Sequence, residues 1–226
     1  MTALFVTSSG TEIGKTYVTS LLILQRRAQE KAVQAIKPVV SGISPESFAT
    51  SDPGQILAAL GEETVFDSIG KVSRWHFEAA LSPDMAARAE GRAIDYDELV
   101  GHCVEAADAG KPLIIEGVGG VMVPLDDQHL VLDWMRDIKT KTPLRTVLVV
   151  GSYLGTISHT LTALSVLRHD GLEPTAVVVS ESDGSTVPFD ETCLSLQRFV
   201  GEVPLIPLPR FAWGEEAPDL TWLLDD

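Results

Sequence analysis

A glycine-lysine-threonine sequence near the amino terminus has the residues needed to bind phosphate. It closes the segment Ser8-Ser9-Gly10-Thr11-Glu12-Ile13-Gly14-Lys15-Thr16, which lies between an apolar run and an amphipathic stretch. Glycine at position 14 lets backbone N–H groups approach phosphate oxygens, and a helix starting there adds unpaired donors and partial positive charge. Lys15 would neutralise the outer phosphates and the Thr16 hydroxyl would ligate Mg2+. The segment therefore predicts a site for the phosphates of a nucleotide.

The fit of this segment to the strict phosphate-loop pattern is incomplete. That pattern has a glycine five positions before Gly14, where this chain has Ser9. A chance Gly-Lys-Thr at a helix start is the alternative. The position of the segment directly after the first apolar run favours the phosphate loop.

Two charged residues follow other apolar runs and could complete the site. Lys37 precedes Pro38, and Glu116 precedes a glycine-rich stretch, 117–120. Ligands of open parallel sheets collect at the carboxyl ends of the strands, where both residues are expected. Glu116 could hold Mg2+ there, and the glycines would let the backbone approach a phosphate. The alternatives are a solvated loop lysine for Lys37 and a helix cap for Glu116.

Short apolar runs alternate with longer amphipathic stretches along the chain. The runs that predict strands are 3–7, 33–36, 113–115, 146–150, 176–179 and 203–206. The stretches that predict helices are 15–31, 52–60, 83–90, 96–109, 156–170 and 189–200, with Asp95 as an N-cap. This alternation predicts an α/β fold with a mostly parallel central sheet and helices on both faces.

Length and composition favour one soluble domain. The 226 residues are expected to form a single domain over 1–226, with 41–51 as a flexible internal loop. The tail, 210–226, would pack on this domain or fray. A net charge of −15 opposes binding to nucleic acid or to anionic membranes. Two distant cysteines and the lack of a long apolar run are typical of a cytoplasmic protein.

Several short motifs, in this order along the chain, resemble the dethiobiotin synthetase family. They are Thr11-Glu12-Ile13-Gly14-Lys15-Thr16, Lys37-Pro38-Val39-Val40-Ser41-Gly42, Ser51-Asp52, Ser82-Pro83, Glu116-Gly117-Val118-Gly119-Gly120 and Leu154-Gly155-Thr156-Ile157-Ser158-His159. The resemblance runs from the first strand to about Pro207. It implies a P-loop NTPase-type ligase that converts diaminopelargonic acid, CO2 and ATP to dethiobiotin, ADP and phosphate in biotin biosynthesis. One amine would become a carbamate that attacks the γ-phosphate, and the second amine would close the cyclic urea.

The resemblance also implies roles for individual residues. Lys37 and Lys15 would be catalytic, and Mg2+ would be held by Thr16, Asp52 and Glu116. The nucleotide would be bound by Glu12, Ile13, Gly14, Lys15, Thr16, Tyr17, Asp52, Glu116, Gly117, Val118, Gly119, Ser180, Pro204, Leu205 and Ile206. The substrate would be bound by Thr11, Lys37, Ser41, Ser82, Pro83, Gly155, Thr156 and Ser158. In the family, the helix start at 155–158 binds the substrate carboxylate across a homodimer interface, so a homodimer is expected.

This chain departs from the family at several positions. The family's loop is typically Gly-Thr-Asp-Thr-Glu-Val-Gly-Lys-Thr, so Ser8 replaces its first glycine and Gly10 its aspartate. Ser180-Glu181 stands where the family often reads adenine with Asn-Asp, and Ser158 replaces an asparagine. The 204–207 stretch would line the base pocket or form only a turn at the sheet edge.

Three other functions fit a phosphate loop. A regulatory ATPase of the partition or septum-site type carries a second lysine where this chain has Gly10. An amidating ligase of corrinoid synthesis needs an attached glutaminase domain, for which this chain is too short. A nucleotide-binding module without catalysis is disfavoured by the intact Lys15, Thr16, Lys37, Asp52 and Glu116.

Overall fold

Six parallel strands form the central sheet of the computed structural model, which describes residues 2–210 and 217–225. The strands are β1 (Ala3–Ser8), β2 (Gln34–Ile36), β5 (Leu113–Glu116), β6 (Leu144–Val150), β7 (Ala176–Ser180) and β8 (Leu205–Leu208). Their order across the sheet is β2-β5-β1-β6-β7-β8, and every pair is parallel. Two further strands, β3 (Val39–Val40) and β4 (Trp75–His76), form a separate parallel pair. Because β1 is a central strand, the loop that follows it lies at the middle of the sheet, at the carboxyl ends of the strands.

Helices connect the strands. They are α1 (Lys15–Ala28), α2 (Asp52–Leu60), α3 (Pro83–Ala89), α4 (Tyr96–Ala107), α5 (Val131–Lys141), α6 (Thr156–His169) and α7 (Phe189–Gln197). Short 3-10 helices cover Phe48–Thr50, Phe66–Lys71 and Thr221–Leu224. The expected N-cap of α4 is present, since the Asp95 carboxylate accepts a hydrogen bond of 2.9 Å from the Glu98 N–H.

Apolar side chains cover the sheet on both faces. Along β1, Ala3 and Phe5 join a core built with α4, α5, α6 and α7, whereas Leu4 and Val6 join a core built with α1 and α2. Phe5 meets Trp134 of α5 edge to face, with ring centroids 4.9 Å apart. Burial on both faces accounts for the continuous apolar runs of the strands. The expected α/β fold with a parallel sheet between helices is confirmed.

Several regions differ from the sequence-based expectations, among them strands β3 and β4, where no strand was expected. Helix α5 was not expected, although Val131, Trp134 and Ile138 have helical apolar spacing and are all buried. Strand β8 begins two residues later than expected. Its Pro207 is tolerated because β8 is an edge strand, where one face of the backbone needs no partner.

The loop 41–51, expected to be flexible, is anchored by two buried side chains, Ile43 and Phe48. In the tail, Leu220, Leu223 and Leu224 are buried against α1 and β1. The Gln25 side chain holds the same segment through Pro218 O and the Leu220 N–H. Positions 211–216 and 226 of the expected tail lie outside the described residues. Within residues 2–210 and 217–225, no helix is long and apolar enough to cross a membrane.

Candidate active site

The loop between β1 and α1 has a backbone that its sequence dictates. Gly14, at the start of α1, has a φ of 101°, a conformation that favours glycine. A Cβ atom at this position would lie 2.5 Å from the Ser180 hydroxyl, so the loop also packs against the end of β7. Glu12 has a φ of 57° and projects outward. The first turn of α1 therefore presents its free N–H groups beside Lys15 and Thr16.

Lys15 is buried within this loop. Its ammonium donates to the Ser8 hydroxyl at 3.1 Å and to the Gly10 carbonyl at 3.4 Å. Burial, together with the nearby Lys37 ammonium, lowers the pKa of Lys15 to about 8. The loop thus holds a positive charge at a place where few other groups neutralise it, as a phosphate site requires.

Lys37 lies between two carboxylates. Its Nζ atom is 2.7 Å from Glu116 Oε1 and 2.7 Å from Asp52 Oδ2. Burial alone would lower the pKa of Lys37, but the Glu116 and Asp52 carboxylates raise it above its ordinary value. Burial would likewise raise the pKa of Asp52, yet the Lys37 ammonium holds it below its ordinary range. Lys37 and Asp52 are therefore charged at neutral pH.

The backbone around Lys37 is fixed from one side. The Lys37 N–H donates to Val72 O at 2.9 Å, and the buried Ser73 hydroxyl donates to Lys37 O at 2.7 Å. Pairing of β3 with β4 continues this contact beyond Pro38. The segment after β2 is thus held by segment 72–76, and its lysine points at the end of β5.

The residues expected to hold Mg2+ fit that ion. The Thr16 hydroxyl donates to Glu116 Oε1 at 2.7 Å, so the two candidate ligands are adjacent. The second carboxylate oxygen, Glu116 Oε2, is buried and has no hydrogen-bond partner among the described residues. Asp52 supplies another carboxylate at the start of α2, next to Lys37. Oxygen ligands of this kind, completed by phosphate and water, suit Mg2+.

Two cavities meet at the phosphate loop. The first, of about 620 Å3, is lined by Glu12, Ile13, Gly14, Tyr17, Asp52, Gln55, Ser180, Glu181, Ser182, Asp183 and Arg210. The second, of about 500 Å3, is lined by Thr11, Glu12, Ser41, Gly42, Ala80, Leu81, Ser82, Pro83, Val118, Gly119 and Val123. The first cavity is lined by six of the fifteen residues expected to bind nucleotide: Glu12, Ile13, Gly14, Tyr17, Asp52 and Ser180. The second is lined by Thr11, Ser41, Ser82 and Pro83, expected to bind substrate, and also by Val118 and Gly119, expected to bind nucleotide. Glu12 lines both cavities, so they share one boundary.

The third group of expected substrate ligands lies around the start of α6. Gly155 has a φ of 98° there, and Thr156 is buried, with its hydroxyl donating to Gly151 O at 2.8 Å. A separate cavity of about 420 Å3 includes Gly155, Thr156 and Ser158, beside Leu154, whose side chain is 88% exposed. His159 is exposed and shares a hydrogen bond of 2.9 Å with the Tyr153 hydroxyl. These residues do not line the other two cavities.

Three residues expected to line the base pocket do not line the first cavity. Pro204, Leu205 and Ile206 stand at the amino end of β8, whereas Ser180, which lines the first cavity, pairs with Leu208 at the carboxyl end. Arg210, just beyond that end, lines the cavity instead. Sequence reasoning missed Arg210 because it set the strand two residues early. The rule that ligands meet strand ends would have identified it from the correct bounds.

Sequence comparison gives a consistent result. A family model described as an AAA domain matches residues 2–209. The ATP-dependent dethiobiotin synthetase BioD of Acidiphilium cryptum is 44% identical over 206 residues, covering 90% of this chain and 91% of that protein. The protein of the same name from Phenylobacterium zucineum is 41% identical over 225 residues, covering 98% of this chain and 94% of that protein.

Solved structures support the fold. The septum site-determining protein MinD, complexed with Mg-ADP, from Pyrococcus horikoshii matches with a TM-score of 0.53 at 15% identity, covering 92% of this chain and 81% of that chain. The MinC:MinD cell division protein complex of Aquifex aeolicus matches with a TM-score of 0.53 at 14% identity, covering 99% of this chain and 85% of that chain. At such identities the likeness concerns the fold alone.

Proposed function

Because the chain belongs to the ATP-dependent dethiobiotin synthetase family, we propose that the buried cluster of Lys15, Lys37 and Glu116 carries its reaction. The enzyme is an ATP- and Mg2+-dependent ligase that forms C–N bonds. It closes the cyclic urea of dethiobiotin on diaminopelargonic acid with CO2, releasing ADP and phosphate. The observation that carries the residue assignment is the position of Lys37 Nζ, 2.7 Å from each of two carboxylates beside the phosphate loop.

The chemistry explains why two lysines are needed. A carbamate that attacks the γ-phosphate brings two anions together, and the charge on the transferring group must be balanced. Lys15 lies in the phosphate loop, and Lys37 lies near it, between Glu116 and Asp52. We assign Lys15 to the phosphates in both the bound and the reacting state, and Lys37 to the charge that develops between carbamate and γ-phosphate. Mg2+, held by Thr16, Asp52 and Glu116, would supply further positive charge at the β- and γ-phosphates.

The nucleotide would occupy the first cavity. Its phosphates would meet the N–H groups of residues 12–17, with the 117–119 turn packed alongside. Its base would lie near Ser180 and Arg210, which line this cavity, whereas residues 204–206 do not. This placement is supported by the cavity's continuity from Gly14 to Arg210.

Diaminopelargonic acid would occupy the second cavity with its amines near Thr11 and Ser41, and Ser82 and Pro83 along its length. The residues 155–158 lie outside that cavity, so their expected role requires a second copy of the chain. We therefore propose a homodimer in which the start of α6 from one protomer binds the substrate carboxylate of its partner.

The chain is also proposed to act as one domain in the cytoplasm. Both apolar cores share the same sheet, and residues 217–225 pack on α1. Cys103 and Cys193 are buried free thiols, and burial raises the pKa of Cys103 to about 12. Such thiols are protonated and unreactive, which suits a reducing compartment.

The reaction is tested by incubating the enzyme with diaminopelargonic acid, bicarbonate and MgATP and detecting dethiobiotin by mass spectrometry. Omission of each component, and replacement of ATP by CTP or GTP, provide the controls. We expect dethiobiotin in stoichiometric ratio with ADP. ATP hydrolysis without dethiobiotin would contradict the proposed function and would favour a switch ATPase.

A further inference from the structure

Position 8 holds a serine where the resembled family has the first glycine of its phosphate loop. The Ser8 side chain is fully buried at the end of β1. Its hydroxyl oxygen lies 3.1 Å from Lys15 Nζ, 2.5 Å from Gly10 O and 3.0 Å from Gly119 O. We propose that Ser8 is a positioning residue that fixes the Lys15 ammonium inside the phosphate loop and ties this loop to the turn after β5.

The hydroxyl suits both tasks. It can accept a hydrogen bond from the Lys15 ammonium while it donates its one hydrogen to either Gly10 O or Gly119 O. A glycine at position 8 would offer neither. Serine is also tolerated by the backbone, since among the described residues the non-glycine residues with positive φ are Glu12 and Glu30. The freedom of a glycine is therefore not required at this position.

The loop and the turn after β5 are already in contact through their backbones. The Val121 N–H donates to Ser8 O at 3.1 Å, and a Cβ atom at Gly120 would lie 3.1 Å from the Gly10 nitrogen. The Ser8 hydroxyl adds a side-chain link to the same contact through Gly119 O. The Ser8 hydroxyl therefore strengthens a contact that the backbone already makes, and it adds Lys15 to that contact.

Removal of this hydroxyl should affect MgATP much more than the diamine. Without it, the Lys15 ammonium keeps the longer contact of 3.4 Å to Gly10 O as its remaining hydrogen bond in the loop. The lysine and the loop would then have to be ordered when the phosphates bind. Ser8 does not line the second cavity and reaches it only through Gly119, so the diamine should be affected much less than MgATP.

The test compares Ser8→Ala and Ser8→Gly with Ser20→Ala. Ser20 is also a buried serine, but its hydroxyl has no hydrogen-bond partner among the described residues. We expect both changes at Ser8 to lower kcat/KM for MgATP about tenfold, the scale of one hydrogen bond to a charged group. KM for diaminopelargonic acid should stay within about twofold, and Ser20→Ala should resemble the wild type. Wild-type kinetics for Ser8→Ala, or equal losses for both substrates, would overturn the proposal.

A double-mutant cycle tests whether Ser8 acts through Lys15. The affinity of a non-hydrolysable MgATP analogue is measured by calorimetry for Ser8→Ala, Lys15→Ala and the double variant, with thermal melting to confirm folding. We expect Ser8→Ala to weaken binding in the wild-type background but not in the Lys15→Ala background. Additive losses would contradict the positioning role. The inference rests on the proposed role of Lys15, which fails separately if Lys15→Ala alone binds the analogue normally.

Discussion

Two ion pairs of nearly equal length show how differently this molecule uses opposite charges. Lys37 and Glu116 lie 2.7 Å apart with side chains 3% and 0% exposed, whereas Lys71 and Glu62 lie 2.6 Å apart with side chains 53% and 48% exposed. Water screens the second pair, so its contribution to stability is small. In the first pair each charge depends on its partner, because neither is solvated. Burial rather than distance therefore marks the pair that can act on a substrate.

The largest expected effect is on turnover when the buried lysine is removed. Lys37→Ala should lower kcat about 100-fold or more, the scale of one preorganised charge donor, with a much smaller change in ATP affinity. The change also leaves Glu116 without its ammonium, so we expect a loss of about 3 kcal/mol in the free energy of unfolding. Steady-state kinetics, calorimetry and denaturant unfolding provide the measurements.

Lys71→Ala is the matched control and should leave all three quantities near their wild-type values. Equal effects of the two substitutions would remove the distinction between the pairs. Equal losses in ATP affinity and turnover for Lys37→Ala would remove Lys37 from the reacting state.

The carboxylates of the two pairs should differ in their effect on the metal requirement. Glu116→Gln keeps the size of the side chain but removes its charge, so about tenfold more Mg2+ should be needed for half-maximal activity. Glu62→Gln should leave the Mg2+ titration unchanged. An unchanged titration for Glu116→Gln would show that this carboxylate does not hold the metal.

The pH dependence of ATP binding also tests how burial changes a charge, because the Lys15 ammonium is buried near the Lys37 ammonium. The pKa of Lys15 is about 8 in the free protein, lowered by burial and by Lys37. As pH rises through this value, Lys15 loses the charge that phosphates need, so ATP affinity should fall several-fold between pH 7 and pH 9. Below about pH 7, where Lys15 is almost fully protonated, ATP affinity should be nearly constant. Calorimetric titrations should show this decline in the wild type, and a flat profile for Lys15→Ala at lower affinity.

The smallest effect is expected for a pair that is exposed but lies in the first cavity. Arg210 and Asp183 are 3.4 Å apart, with side chains 60% and 79% exposed. Arg210→Ala should raise KM for ATP no more than about threefold, because exposed charges contribute little. A tenfold change would show that Arg210 contacts the nucleotide closely despite its exposure. The effect of a charged residue on ATP binding would then depend more on its position in the site than on its burial.

Much of this site could be predicted from the sequence. The order of apolar runs gave the parallel sheet, and the strand-end rule brought Lys37 and Glu116 together before any distance was known. The ion pair between Lys37 and Asp52 was not predicted. Its geometry depends on how α2 docks, which includes a close approach of Gly54 to Phe48 O that no local pattern encodes.

Position 210 was missed for a different reason. Prolines at 204 and 207 interrupt the apolar run, so the pattern placed the strand two residues early. From the sequence, Ser8 is recognisable only as a replacement for the first glycine of the family's phosphate loop. Its contacts come from the turn after β5, more than 100 residues away in the chain.

The measurement that tests the account most directly follows oxygen from CO2 under single-turnover conditions. Enzyme, MgATP and diaminopelargonic acid are mixed with freshly added 18O-labelled CO2 in unlabelled water, and the phosphate is analysed by mass spectrometry. If a carbamate oxygen attacks the γ-phosphate and leaves with it at ring closure, each phosphate released with dethiobiotin carries one 18O atom. Phosphate without label would contradict the account, because ATP would then be cleaved by water and the buried lysines would not join carbamate to phosphate.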